Sequence, residues 1–155
     1  IRLAQGDRAE AMDLFQRELA GEHSGHLYAR ECSANTWYAI GAARLTAGDR
    51  EGAREAFGEC LARVPAHPMA RAAMGDASAG VGLSAADAAI ARAVGFAAAG
   101  DREGCDALAP MIDQALAETV PGNAGWLIGV EPMLGVVTRP DVWRGVLARV
   151  RGRAA

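Results

Sequence analysis

The chain is 155 residues long, with 51% hydrophobic and 23% charged residues and a formal net charge of −3. This length suits one domain with a buried core, and the composition excludes a disordered chain. Arginine supplies all 16 positive charges, because the sequence contains no lysine. The missing lysine excludes a Walker-type phosphate loop and a Schiff-base enzyme, and the acidic balance argues against a nucleic-acid-binding module.

The cysteines, Cys32, Cys60 and Cys105, are odd in number and far apart in sequence. This pattern is typical of reduced thiols, so we predict a cytoplasmic protein without a disulfide framework. No apolar run approaches the roughly 18 residues of a membrane span, and we predict no membrane association. The chain begins at Ile1 rather than at methionine. We therefore expect a piece of a longer protein, with a leader removed before Ile1 as the alternative.

In chain order, apolar residues recur at helical spacing in segments that glycine or proline separates. Ser84 is a good N-cap for the fifth of these segments, and Pro110 is expected to kink or interrupt the sixth. Residues 131–137 are expected to form a helical turn or two, and no segment is predicted to be a strand. The predicted helices cover residues 8–20, 27–46, 50–64, 68–78, 84–98 and 140–152. One more predicted helix follows residue 104 and ends at residue 119.

One hexapeptide, Ala-Gly-Asp-Arg-Glu-Gly, occurs at residues 47–52 and again at 99–104, and residues 6–8 repeat its Gly-Asp-Arg centre. Glycine reverses the chain, and the acidic residues at a helix start offset the helix dipole. A repeated turn between apolar helical runs is typical of stacked helical hairpins, which usually bind partners rather than catalyse reactions. The glycines lie 42 and 52 residues apart, so the predicted array is irregular.

Residues 34–67 follow the order of a known helical repeat. Trp37 is followed by Ile40 and Gly41, then by an Ala-x3-Phe pair and a closing proline, while Arg44 departs from the tyrosine of the pattern. This stretch resembles a tetratricopeptide repeat, with partial repeats on either side. Gly75 falls 34 residues after Gly41 and restores the period. The residues expected to pack within and between hairpins are Trp37, Ile40, Gly41, Ala53, Phe57 and Pro65.

The resemblance implies an all-α fold, a right-handed solenoid of antiparallel helical hairpins with a C-terminal capping helix. We expect residues 1–120 to form the repeat region, cut short at its N-terminus. Residues 121–155 are expected to form an irregular segment and the capping helix, packed on the same domain. Val142, Trp143, Val146, Leu147 and Val150 are expected to line the apolar face of that helix.

In tetratricopeptide proteins the first helix of each hairpin lines a concave groove. The resemblance therefore implies that a partner peptide or helix binds there. The residues of this sequence that correspond to the groove are Asn35, Tyr38, Ala39, Ala42, Leu45, Met69, Ala73 and Asp76.

The arginines near the C-terminus are interpreted as charges that stabilise the end of a helix, rather than as a nucleic-acid-binding patch.

The predicted function is a non-catalytic protein-interaction scaffold within a larger bacterial protein, one with a signalling or regulatory role. We predict no cofactor, no metal and no nucleic-acid partner, and the N-terminal end offers a surface for self-association. The alternative is a small metal-dependent or thiol enzyme that uses His23, His26 and Cys32. A third interpretation is a structural spacer without a groove, which burial of Tyr38 and Asn35 would favour.

Overall fold

The computed structural model describes residues 1–23, 26–120, 124–125, 128–136 and 138–154. These residues form α-helices and one 3₁₀ turn at Ile128–Val130, and no strand occurs among them. The all-α prediction is confirmed. The helices are α1 (Arg8–Ala20), α2 (Ala29–Thr46), α3 (Arg50–Arg63), α4 (Pro68–Ala73), α5 (Ala85–Ala99), α6 (Arg102–Ala107), α7 (Ala109–Glu118) and α8 (Pro140–Ala154).

Two predicted helices differ from the observed ones at glycine or proline. Helix α4 ends at Ala73 rather than at residue 78, because Gly75 adopts a φ of +86° and reverses the chain. The stretch before residue 119 divides into α6 and α7 at Leu108, with Pro110 in the first turn of α7. The prediction that Pro110 interrupts this stretch is confirmed. Residues 132–136 form turns rather than a helix, and Val137 lies outside the described residues.

The repeated hexapeptide forms the same turn wherever it occurs. Gly48 and Gly100 have φ angles of +86° and +85°, and the aspartate that follows each glycine caps the next helix. Asp49 accepts a hydrogen bond from the N–H of Gly52 at 2.9 Å, and Asp101 accepts one from Gly104 at 2.8 Å. The shorter copy at residues 6–8 has the same glycine φ and the same aspartate cap. The arginine of every copy therefore occupies the first position of a helix.

Most helix contacts join neighbours in the chain. Helix α2 packs on both α1 and α3, α4 packs on α3 and α5, and α5 also contacts α6 and α7. A continuous buried cluster, rich in alanine, extends from α2 to α8. Ile128 and Leu134 add to it from the segment before α8, and both are almost fully buried. The C-terminal segment thus belongs to the same core as the helices that precede it.

Helices α2 and α3 approach closely at Gly41. A Cβ atom at Gly41 would lie 2.5 Å from Cε1 of Phe57, well inside van der Waals contact. Phe57, Ile40 and Ala53 are buried, whereas Pro65 is exposed. Trp37 is half-buried, and the Arg63 guanidinium lies 5.5 Å from the centroid of its ring. Since any side chain larger than hydrogen would meet the Phe57 ring, glycine permits this helix crossing.

Helix α8 packs on α7 through apolar and charged contacts. Trp143 and Val146 are buried, and Arg149 donates to Asp113 of α7 at 2.6 and 3.1 Å. This ion pair lowers the pKa of Asp113, because the Arg149 hydrogen bonds favour the carboxylate. Val142 is 39% exposed, so the prediction that it lies on the apolar face of this helix is wrong. The face that packs therefore begins at Trp143.

Candidate functional site

Tyr38 and Ala42, two of the predicted groove residues, lie in the core rather than on a surface. Tyr38 is 6% exposed and Ala42 is fully buried. Residues 128–136 contribute to the same buried cluster. Because neither side chain reaches solvent in this arrangement, both are removed from the set of residues that a partner could contact. Sequence spacing alone could not predict this burial, since the tyrosine hydroxyl binds a residue 93 positions away.

Tyr38 forms a buried hydrogen bond with Glu131. Its hydroxyl donates to Oε1 of Glu131 at 2.6 Å, and the backbone N–H of Met133 donates to the same oxygen at 3.0 Å. Burial raises the pKa of the Glu131 carboxyl, and the two donors only partly oppose this shift. Burial, with the neighbouring Glu131 charge, raises the pKa of the Tyr38 hydroxyl well above its usual value. This contact fixes the C-terminal segment to α2.

We expect Glu131→Gln to change how stability depends on pH. The pKa of Glu131 is raised on folding, so between 4.5, its ordinary value, and the raised value the native state binds more protons than the unfolded chain. Stability due to this group therefore falls as the pH rises through that window. The glutamine variant removes the fall, so its stability relative to wild type should increase with pH.

Urea unfolding of both proteins between about pH 4.5 and 8 measures this difference. Two other carboxylates have lowered pKa values, Asp76 through hydrogen bonds from Ser78 and Arg71 and Asp113 through hydrogen bonds from Arg149. Both are common to the two proteins, so their effects on stability cancel. A difference that does not vary with pH would contradict the burial of an ionisable Glu131.

Two other predicted groove residues, Asn35 and Ala39, remain partly or fully accessible on α2. Asn35 is exposed, and its side-chain oxygen lies 3.1 Å from Nε2 of His67. Since Nδ1 of His67 accepts from the N–H of Ala70 at 3.2 Å, Nε2 is the nitrogen that donates to Asn35. Burial lowers the pKa of His67. Asn35 thus joins α2 to the start of α4, while Ala39 is half-buried.

The other four residues of the predicted groove, all half-buried, do not share one surface. Leu45 lines a cavity at the C-terminal end of α2, whereas Asp76 lines another between α4 and α5. Met69 and Ala73 of α4 pack against the core. The structure therefore divides the predicted groove between two concavities, which we call the arginine cleft and the α4–α5 groove.

The arginine cleft has a volume of about 640 Å³ and lies where the two hexapeptide turns and the shorter turn at residues 6–8 meet the C-terminal segment. Its lining combines the C-terminal ends of α2 and α5 with parts of residues 129–139. Charged residues of both signs line it. They are Arg8, Arg50, Arg102, Arg139 and Glu131.

The arginines of this cleft differ in their partners. Arg139 forms an ion pair with Asp106 and donates to the Leu134 carbonyl at 2.7 Å. Arg102 donates to the Met133 carbonyl at 3.2 Å. Within the described residues, the side chains of Arg8 and Arg50 form neither an ion pair nor a hydrogen bond. The site residues predicted from the sequence did not include these arginines, although the arginine that recurs in each turn was a sign of the cleft.

The α4–α5 groove has a volume of about 530 Å³ and a largely apolar lining. Alanine and glycine dominate its walls, and Val81 at its edge is 80% exposed. Among its lining residues, Asp76 accepts hydrogen bonds from Ser78 and forms an ion pair with Arg71 at 2.7 Å. These contacts lower the pKa of Asp76 to about 2. Arg92 also lines the groove, and its guanidinium lies 5.7 Å from the centroid of the Phe96 ring.

The residues of the alternative enzyme hypothesis lie near the start of α2. His23, His26 and Cys32 are all exposed, and Nδ1 of His26 accepts from the N–H of Tyr28 at 3.3 Å. Across the described ranges, no group of three or more His, Cys, Asp or Glu side chains could hold a metal ion. Burial raises the pKa of the Cys60 thiol to about 11. Burial also raises the pKa of the Cys105 thiol, so both cysteines favour the unreactive thiol form.

Comparisons with protein-family models, with curated proteins and with solved structures found no match to this chain. Function must therefore be argued from the two concavities themselves. In the part of the chain that the structure describes, no helix has the length and apolarity required to cross a membrane.

Proposed function

We propose that this chain is a non-catalytic protein-interaction module in which the α4–α5 groove holds an apolar segment of a partner protein. The proposed architecture is a tetratricopeptide-like right-handed solenoid of hairpins, capped by α8. Its support is the motif spacing of residues 34–67 and the packing of each helix on its chain neighbours. The proposed setting is a cytoplasmic bacterial protein with a signalling or regulatory role.

The lining of the α4–α5 groove is the observation that carries this proposal. Small side chains, including Ala72, Ala88 and Gly95, let a second helix approach the backbone closely. The exposed Val81 extends the apolar surface beyond the groove wall. A helix with one apolar face would remove this surface from water, which is the main driving force of such docking.

The charged residues that line the groove indicate which helix fits. Asp76 is neutralised by Arg71, whereas Arg92 has no carboxylate partner in the described ranges. The groove therefore presents one unneutralised cation beside its apolar floor. We propose that the partner segment is an amphipathic helix with a carboxylate flanking its apolar face, placed to pair with Arg92.

Site-specific crosslinking in cells tests this proposal. A photo-crosslinking amino acid is placed at Val81, and at Val120 as the matched control. Both valines are highly exposed, at 80% and 65%, but only Val81 lines the groove. We expect Val81 to crosslink one protein segment, mapped by mass spectrometry, with an apolar helical face and a flanking acid. Arg92→Glu should abolish this crosslink.

If both positions crosslink the same set of proteins, or if the crosslinked segment is polar throughout, the proposed role of the groove is wrong. Far-UV circular dichroism of the Arg92→Glu variant checks that loss of crosslinking does not follow from unfolding. Arg92 is exposed, so little change in stability is expected.

A further inference from the structure

The arginine cleft brings together cations from segments far apart in sequence. Arg8, Arg50 and Arg102 each follow the capping aspartate of a hexapeptide turn, and Arg139 approaches from the C-terminal segment. The turns of α2–α3 and α5–α6 lie side by side, since Nη2 of Arg50 is 3.9 Å from where a Cβ of Gly100 would stand. The fold therefore gathers positive charge at one place in a chain whose net charge is −3.

Helix stability does not explain these arginines. The first position of a helix lies at the positive end of its dipole, where a cation is unfavourable. The aspartate before each arginine already caps the helix by accepting a hydrogen bond from its backbone. Its carboxylate is thus directed to the helix N–H groups. An unfavourable charge placed three times at equivalent positions indicates a role outside the helix.

The arginines also lack internal neutralisation. The cleft lining carries the carboxylate of Glu131, whose Oε1 already accepts from Tyr38 and Met133. Asp106 is engaged by Arg139. Among the described residues, Arg8 and Arg50 are left with free guanidinium groups on the same cavity. Guanidinium groups bind phosphate and carboxylate oxygens through paired, charge-assisted hydrogen bonds.

We propose that the arginine cleft binds a small molecule with two or more anionic groups, through Arg8, Arg50 and Arg102. A cavity of about 640 Å³ lies within the usual size range of small-molecule sites. Phosphate and carboxylate groups share the required chemistry. The cleft has no lining residue in common with the α4–α5 groove, so this proposal is independent of the proposed protein partner.

Isothermal titration calorimetry of the full chain with pyrophosphate and with citrate tests the proposal. The variants are Arg50→Gln, the double variant Arg8→Gln/Arg50→Gln, and Arg54→Gln as a matched control. Arg54 lies one turn after Arg50 on α3, is exposed, and does not line the cleft. We expect wild type and Arg54→Gln to bind at least one of the anions with the same Kd.

Arg50→Gln should raise that Kd about tenfold, and the double variant should lose measurable binding. Tighter binding of pyrophosphate than of citrate would favour a ligand that carries phosphate groups, and the reverse would favour a polycarboxylate. Binding should weaken as salt is raised, because the lining arginines of the hexapeptide turns are solvent-exposed.

Equal binding by Arg50→Gln and Arg54→Gln would overturn the proposal. Failure of both pyrophosphate and citrate to bind the wild-type protein would also overturn it. A hexaglutamate peptide that binds more tightly than both would also overturn it, in favour of an acidic protein segment. None of these results bears on crosslinking from Val81, so a failure here is distinguishable from a failure of the partner groove.

Discussion

Replacing Trp143 with alanine is expected to lower the free energy of unfolding by about 3–5 kcal/mol. Among the residues that the structure describes, Trp143 is the largest side chain that is fully buried, and it belongs to the cluster that extends from α2 to α8. Removing it leaves a cavity between α8 and that cluster. Since small domains are stable by only about 5–15 kcal/mol, this single change would remove much of the total. Urea unfolding followed by far-UV circular dichroism measures the loss.

Two further variants identify the source of this effect. Val142→Ala, on the exposed side of the same turn of α8, should change stability by no more than about 0.5 kcal/mol. Trp143→Phe should cost clearly less than Trp143→Ala, because the phenyl ring fills most of the space that alanine would leave empty. Nε1 of Trp143 has no hydrogen-bond partner among the described atoms, so neither variant loses a hydrogen bond there. Equal effects of Trp143→Ala and Val142→Ala would show that α8 does not pack as described.

Replacement of glycine by alanine is expected to lower the free energy of unfolding at Gly41 and to raise it at Gly58. Gly41→Ala places a methyl group 2.5 Å from the Phe57 ring, which is buried and has little room to move. We expect overpacking to outweigh the better helix propensity of alanine, with a net loss of about 1–2 kcal/mol. Gly58→Ala, in the exposed middle of α3 with no atom near its Cβ position, should instead gain about 0.5–1 kcal/mol. Thermal and urea unfolding of both variants provide the comparison.

A double-mutant cycle locates the cause of the loss at Gly41. Phe57→Leu makes room for the new methyl group, so Gly41→Ala should cost less in the Phe57→Leu background than in wild type. Additive effects would mean that the α2–α3 crossing is set by contacts other than the Gly41–Phe57 pair. The cycle also tests the packing role that the tetratricopeptide-like spacing assigns to these two residues.

Local chemistry made several elements predictable from the sequence. Ser84 begins α5 because its hydroxyl accepts a hydrogen bond from the N–H of Asp87, an interaction that depends on residues three apart. The hexapeptide specifies its own turn in the same way, through one glycine and one aspartate. Helix positions, breaks and the all-α class follow from such short-range rules and from apolar periodicity.

The candidate sites were less predictable because they depend on long-range placement. Tyr38 follows helical spacing whether it faces a partner or the core, and only the position of Glu131 decides between these possibilities. The cleft arginines are likewise ordinary exposed residues in sequence. Their common cavity results from how the hairpin turns sit beside one another, which nothing within a single turn determines.

The hexapeptide turn assigns separate tasks to adjacent residues. Glycine supplies the left-handed backbone conformation, aspartate caps the helix, and arginine faces the cleft. Conformation and charge can therefore change independently, since replacing Arg50 leaves both the glycine φ and the aspartate cap in place. Substitutions at these arginine positions can alter what the cleft recognises while the scaffold persists. Ligand specificity can therefore change while the fold stays the same. A library that varies only the codons of Arg8, Arg50 and Arg102 would sample these changes in specificity.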